Sequence, residues 1–170
     1  MMIIKFLILS LVFASSLSIG FLIAKKYENR VKELKDMKNA LNMFETKIKF
    51  TYASVPEIFE EIAKQFGEEI VGQIFRTASI LMKDKSAGEA WNEGIDTVNS
   101  NMTLEDKSTL KNLGKLLGKT DLEGQISEIR LVTDLLNTQI ELAEIDRRKN
   151  EKMYKTLGGI IGLTLVIILV

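Results

Sequence analysis

Apolar residues between Lys25 and Ser54 recur at Tyr27, Val31, Leu34, Met37, Leu41, Phe44, Ile48, Tyr52 and Val55, in steps of three and four. That spacing predicts one long amphipathic helix, with neither Gly nor Pro to stop it. Ser54-Val55-Pro56-Glu57 then reads as a stop followed by a new start: Ser54 as cap, Pro56 in the first turn, Glu57 completing a capping box. The next helix places Ile58, Phe59, Ile62 and Phe66 on one face and ends near Gly67. A third presents Ile70, Val71, Ile74, Phe75, Ala78 and Leu81. Ser86 with Glu89 opens a short helix carrying Ala90, Trp91, Ile95 and Val98. Thr103 with Asp106 caps another, followed by Leu110, Leu113, Leu116 and Leu117. The last segment steps through Leu122, Ile126, Ile129, Thr133, Leu136, Ile140, Ala143 and Arg147, with a broader apolar flank at Leu131, Leu135, Leu142 and Ile145.

The predicted class is all-α: an antiparallel helical bundle on a long helical stalk, flanked by N- and C-terminal transmembrane helices. The first and last long helices should pair antiparallel, and any stripe left over would serve as an oligomer surface.

Both ends are apolar. Phe6 to Ala24 holds no charge and spans about 28 Å as a helix at ~1.5 Å per residue. A cleaved signal peptide, with a small-residue site between Ala14 and Gly20, is the rival reading. The length of the run and its direct passage into Lys25-Lys26 favour a retained anchor. Thr156 to Val170 reaches only about 22 Å against a hydrocarbon core of ~30 Å. It can span if Tyr154 and Lys155 sit at one interface and the bilayer thins, and an interfacial tail is the alternative. The domains follow as 1–24 N-terminal transmembrane helix, 25–153 cytoplasmic helical domain and 154–170 C-terminal transmembrane helix.

Lys25, Lys26, Arg30 and Lys32 follow the first anchor, while Arg147, Arg148, Lys149, Lys152 and Lys155 precede the second. Basic flanks mark the cytoplasmic side, so the central domain is expected inside and both termini outside. Ser16, Gly20 and Ala24 repeat small residues every four positions, and Gly158 and Gly162 form a GxxxG step. Such faces let membrane helices approach closely, although small residues are also simply frequent in membrane helices.

Composition narrows the function. The 170 residues include 23 Lys+Arg and 23 Asp+Glu, so bulk charge gives no reason to expect nucleic acid. With no Cys and no His, disulfides, thiol or imidazole catalysis and the commonest zinc sites are excluded. Gly114-Lys115-Leu116-Leu117-Gly118-Lys119-Thr120 approaches a phosphate-binding loop, but Leu113 stands where the first Gly is required, and no strand precedes it. A helix stop at Gly118 and a cap at Thr120 or Asp121 accounts for the pattern. No cofactor, metal or catalytic residue is expected. The acidic group Glu57, Glu60, Glu61, Glu68 and Glu69 reads as a solvated helix face and a candidate docking face for a basic partner.

The run from Leu113 through Gly114, Gly118, Thr120, Asp121 and Gly124 to Gln125, the ending Lys152-Met153-Tyr154-Lys155-Thr156-Leu157-Gly158-Gly159 with Gly162-Leu163, and Ala90-Trp91 resemble the stage III sporulation protein AB family of endospore-forming bacteria. The resemblance covers the whole length, both anchors included. It implies a platform role on the mother-cell side of the channel between mother cell and forespore, in the mother-cell membrane around the forespore. It further implies likeness to inner-membrane platform proteins of type II secretion and type IV pilus systems. The implied partners are a hexameric secretion-type ATPase, stage III sporulation protein AA, and other membrane proteins of that channel, with no catalysis by the chain itself. A generic membrane-bound helical adaptor that homo-oligomerises through its coiled stripe is the alternative.

Overall fold

A computed structural model describes residues 2–51 and 53–169. Tyr52, placed above in the first helical stripe, and Val170, at the end of the second apolar run, lie outside the described residues. The described residues form α1 (Met2–Phe50), α2 (Val55–Phe66), α3 (Ile70–Leu81), α4 (Ala87–Thr97), α5 (Leu104–Leu113) and α6 (Leu122–Leu169), with no strand among them. They divide into two compact units. One comprises α1 up to Val31 with α6 from Leu142; the other runs from Lys32 to Glu141. These divisions fall inside the two long helices, deeper in the chain than the expected domain bounds at 24/25 and 153/154.

In the Lys32–Glu141 unit the predicted stripes become the core. Leu34, Met37, Leu41 and Phe44 of α1, Ile58, Phe59 and Ile62 of α2, and Ile74 and Phe75 of α3 are all fully buried. Four aromatic rings form its centre. Phe59 meets Phe44, Phe75 and Trp91 edge-on at centroid separations of 5.1, 4.7 and 5.6 Å, and Phe75 meets Trp91 at 5.2 Å. This is the offset geometry that ring quadrupoles favour. The indole N–H of Trp91 donates to the Leu110 carbonyl at 2.8 Å, so α4 carries its one polar atom into the core with a partner.

Local chemistry starts α2, α4 and α5 where their capping residues place them, whereas α3 begins without a side-chain cap. The Ser54 N–H donates to Glu57 at 2.7 Å. Ser86 and Glu89 bond reciprocally, as do Thr103 and Asp106, whose backbone N–H and side-chain contacts measure 2.8 and 3.2 Å. α1 ends at Phe50, one turn before Ser54. Phe66, Ile70 and Leu81 are only half-buried and Leu116 is exposed, because the turns beside them carry these positions to the rim of the core.

The glycine-containing run after α5 is a structural turn. α5 stops at Leu113, Gly118 adopts φ +73°, and the Asp121 carboxylate accepts the Gly124 N–H at 3.0 Å to open α6. A Cβ on Gly88 would lie 2.0 Å from the Gly114 carbonyl, so this pair of glycines brings the first turn of α4 onto the turn after α5.

One buried acid ties the α4–α5 link to α1. Glu33 is 6% exposed, and its carboxylate accepts the Asn101 backbone N–H at 2.8 Å and the Asn101 side-chain amide at 2.6 Å. Burial pushes its carboxyl above the usual range, with the Asn101 bonds pulling the other way. A folded-state pKa above the unfolded one means that its contribution to stability is full below the unfolded pKa and is lost as pH rises through the folded one. Relative to Glu33→Gln, the wild type is therefore expected to gain stability as pH falls from neutral toward 4, read from urea midpoints at several pH values. The bond lost on amidation shifts both ends of that comparison equally. A flat difference across this range would contradict the burial argument.

Candidate functional site

The first unit is a pair of helix segments, α1 to Val31 and α6 from Leu142, and small residues set how close they come. A Cβ on Gly20 would stand 2.7 Å from the Tyr154 carbonyl and 3.1 Å from Gly158 Cα. One on Gly158 would stand 3.0 Å from the Ser16 carbonyl and 3.2 Å from Gly20 Cα. The backbones thus touch where a side chain would hold them apart. The Ser16 hydroxyl donates to the Gly158 carbonyl at 2.8 Å, adding a polar tie between two apolar helices. Gly162 sits under the Phe13 ring, with a built Cβ only 2.8 Å away, and Ala24 is 1% exposed. Ser16, Gly20, Gly158 and Gly162 are brought together here, whereas Gly159 meets only the Leu17 side chain, at 3.8 Å.

Toward Val31 and Leu142 the seam changes chemistry. Tyr27 and Tyr154 stack at 5.9 Å between centroids, and the Arg30 guanidinium, largely buried, donates to Asp146 at 2.9 Å. Lys155 bonds Glu151 at 2.7 Å while its ammonium lies 5.5 Å from the centre of the Phe21 ring. Aromatic rings with polar edges and cations that lie back on apolar surface are the side chains that settle at a membrane–water boundary. The faces away from the seam stay apolar and exposed, including Phe6, Leu11 and Leu22 on α1 and Leu163, Ile167 and Ile168 on α6.

Both long helices are therefore long and apolar enough to cross a membrane. The family model described as Stage III sporulation protein AB matches residues 5–170, apolar ends included. The chain belongs to the stage III sporulation protein AB family. Stage III sporulation protein AB of Bacillus subtilis (strain 168) is 30% identical over 153 residues, 88% of this chain and 90% of that relative. A solved structure of a stage III sporulation protein AB superposes with a TM-score of 0.64 at 24% identity, covering 71% of this chain and 98% of that one. At that identity the likeness carries the fold, and the fold agrees: all-helical, with long apolar helices at the ends. Membership of this family makes the chain a sporulation protein, and its two apolar helices make it a membrane-associated one.

The five residues of the candidate docking face, Glu57, Glu60, Glu61, Glu68 and Glu69, lie in the Lys32–Glu141 unit, and each has a partner within it. Glu57 caps α2, Glu60 pairs with Lys64 and Glu61 with Lys47, while Glu68 pairs with Arg76 and Glu69 with Lys32. Hydrogen bonds to Ser54 hold the Glu57 carboxyl below the usual range, and the Lys64 bond does the same for Glu60. The group is thus one helix cap and four exposed, solvent-screened ion pairs that are free to exchange partners. What the sequence pattern left unseen is Glu33, whose acceptor role depends on a residue, Asn101, brought to it from the α4–α5 link.

Proposed function

We propose that this sporulation protein is a membrane-anchored, non-catalytic platform component of the channel between mother cell and forespore, docking a secretion-type ATPase of the stage III sporulation protein AA type to the membrane. The observation that carries this is family membership across both apolar helices, joined to the antiparallel seam between them. Two spans held together by the Gly20–Gly158 contact enter and leave the bilayer side by side. Basic residues gathered at the same end of both, from Lys25 to Arg30 and from Arg147 to Lys155, support a cytoplasmic location for that end by the positive-inside rule. The Lys32–Glu141 unit is then presented to a cytoplasmic partner.

On this reading the exposed carboxylates of α2 and the α2–α3 turn are the docking face, because weak surface pairs can be traded for a partner's cations. Capture of the purified ATPase by full-length protein in nanodiscs is expected at low salt and should weaken as salt rises. Reversing Glu60 and Glu68 together to Lys is expected to weaken capture about tenfold with the fold intact by circular dichroism. Absence of binding by the wild type at low salt would defeat the proposal.

Exposed aliphatic residues on α6 support the second reading, a helical adaptor that self-associates: Leu131 and Leu135 in one unit, Leu142 and Ile145 in the other. Sedimentation of the detergent-solubilised protein separates the two, since a platform for an ATPase has no need to oligomerise alone.

A further inference from the structure

Along one flank of α1, a shallow groove of about 470 Å³ is lined by Ile19, Leu22, Ile23, Lys25, Lys26 and Asn29. Positions 19, 22, 23, 26 and 29 recur in steps of three and four, so they share one helix face. Its chemistry is divided along the helix axis. The part toward the N-terminus is wholly aliphatic, with Ile19 59% and Leu22 67% exposed. One turn on, it carries two ammonium groups and an amide, with no carboxylate in its lining. Lys25 has a loose contact with Glu28 at 3.5 Å, whereas Lys26 and Asn29 have no side-chain partner among the described residues. On α6, Lys155 is occupied by Glu151 and the Phe21 ring.

We infer that this groove is a binding site for one anionic phospholipid, its phosphate held by Lys25, Lys26 and Asn29 and the start of an acyl chain lying along Ile19, Leu22 and Ile23. The inference rests on the membrane-anchored reading above. Charge complementarity selects the occupant: two ammonium groups and an amide with no carboxylate in the lining attract an anion, and the aliphatic wall directly beneath them suits an anion that carries a hydrocarbon chain. A free phosphate satisfies the first half only. About four residues of helix, ~6 Å, separate Leu22 from Lys26, the depth over which a phospholipid passes from acyl chain to phosphate.

The test uses the full-length protein reconstituted in phosphatidylcholine vesicles, with trace spin-labelled phosphatidylglycerol or spin-labelled phosphatidylcholine as probe. The motionally restricted fraction is expected to be about fivefold larger for labelled phosphatidylglycerol. Lys26→Gln combined with Asn29→Leu should bring that ratio close to one with helicity unchanged. Lys149→Gln combined with Lys152→Gln, which leaves the groove intact, should retain it. Equal loss in both double variants would reduce the preference to diffuse attraction and overturn the site. So would displacement of the probe by millimolar inorganic phosphate, or insertion of the wild type without any preference. Failure of the wild type to insert at all would instead sink the membrane reading, and the site with it.

Discussion

Exchanging Gly158 for leucine is expected to separate α1 from α6 in the unit where they pair. The Gly158 site has backbone on its far side: the Ser16 carbonyl at 3.0 Å and Gly20 Cα at 3.2 Å from the first side-chain atom. Backbone does not rotate aside as a flexible side chain does, so the helices must move apart. The Ser16 bond to the Gly158 carbonyl and the Gly162–Phe13 contact then lengthen together. Overpacking of a tight contact costs about 1–3 kcal/mol, and leucine between two touching backbones belongs at the upper end. That corresponds to a loss of pairing on the order of a hundredfold. The chain has no native Cys, so Leu17→Cys with Gly159→Cys gives a clean oxidative cross-link across this seam. Its yield in membranes should collapse when Gly158→Leu is added and should largely survive Gly158→Ala. Undiminished cross-linking in the leucine variant would mean that the seam is not what holds these helices.

Trp91→Ala is expected to be the most damaging change in the Lys32–Glu141 unit. It removes the fully buried ring that meets Phe59 and Phe75 and orphans the Leu110 carbonyl, at a cost of about 3–5 kcal/mol. Against a total stability of about 5–15 kcal/mol, this brings the unit near the edge of folding. Trp91→Phe keeps an aromatic edge against the cluster and loses the N–H, and should cost clearly less. Helicity followed through urea denaturation ranks the three proteins. Equal midpoints for wild type and Trp91→Ala would show that this cluster is not the centre of the core.

The elements that could be read from the sequence are those whose cause is local. Ser86 with Glu89 and Thr103 with Asp106 are each a complete device within four residues, so the helix starts were legible. Phe59, Ile62, Ile74 and Phe75 follow a helical period that already says which way they face. Burial at element ends was less legible, since Phe66 and Leu81 keep the period but run out of neighbours. The Glu33–Asn101 bond had no signature, because a carboxylate in a charged helix looks solvated until a distant link arrives over it. The small-residue spacing of Ser16, Gly20 and Gly158 was visible in each half of the chain, yet the facing register is a property of the pair. The near-phosphate-loop run shows the reverse case. Its glycines are conspicuous in sequence because a turn and a neighbouring backbone need them, as Gly118 and the Gly88–Gly114 approach show.

The hydroxyl of Ser16 and the carbonyl of Gly158 lie 142 positions apart along the chain. Contacts so distant in sequence are slow to close and cannot form before the ribosome has passed Gly158. The intervening short helices meet mainly their immediate successors and can fold as they emerge. On the membrane-anchored reading proposed above, the first hydrophobic helix then waits in the lipid as a solitary segment during synthesis, its glycine notch open to any other helix nearby. Assembly order, and the interval in which a stray neighbour could occupy that notch, is thus written into the distance between two small residues.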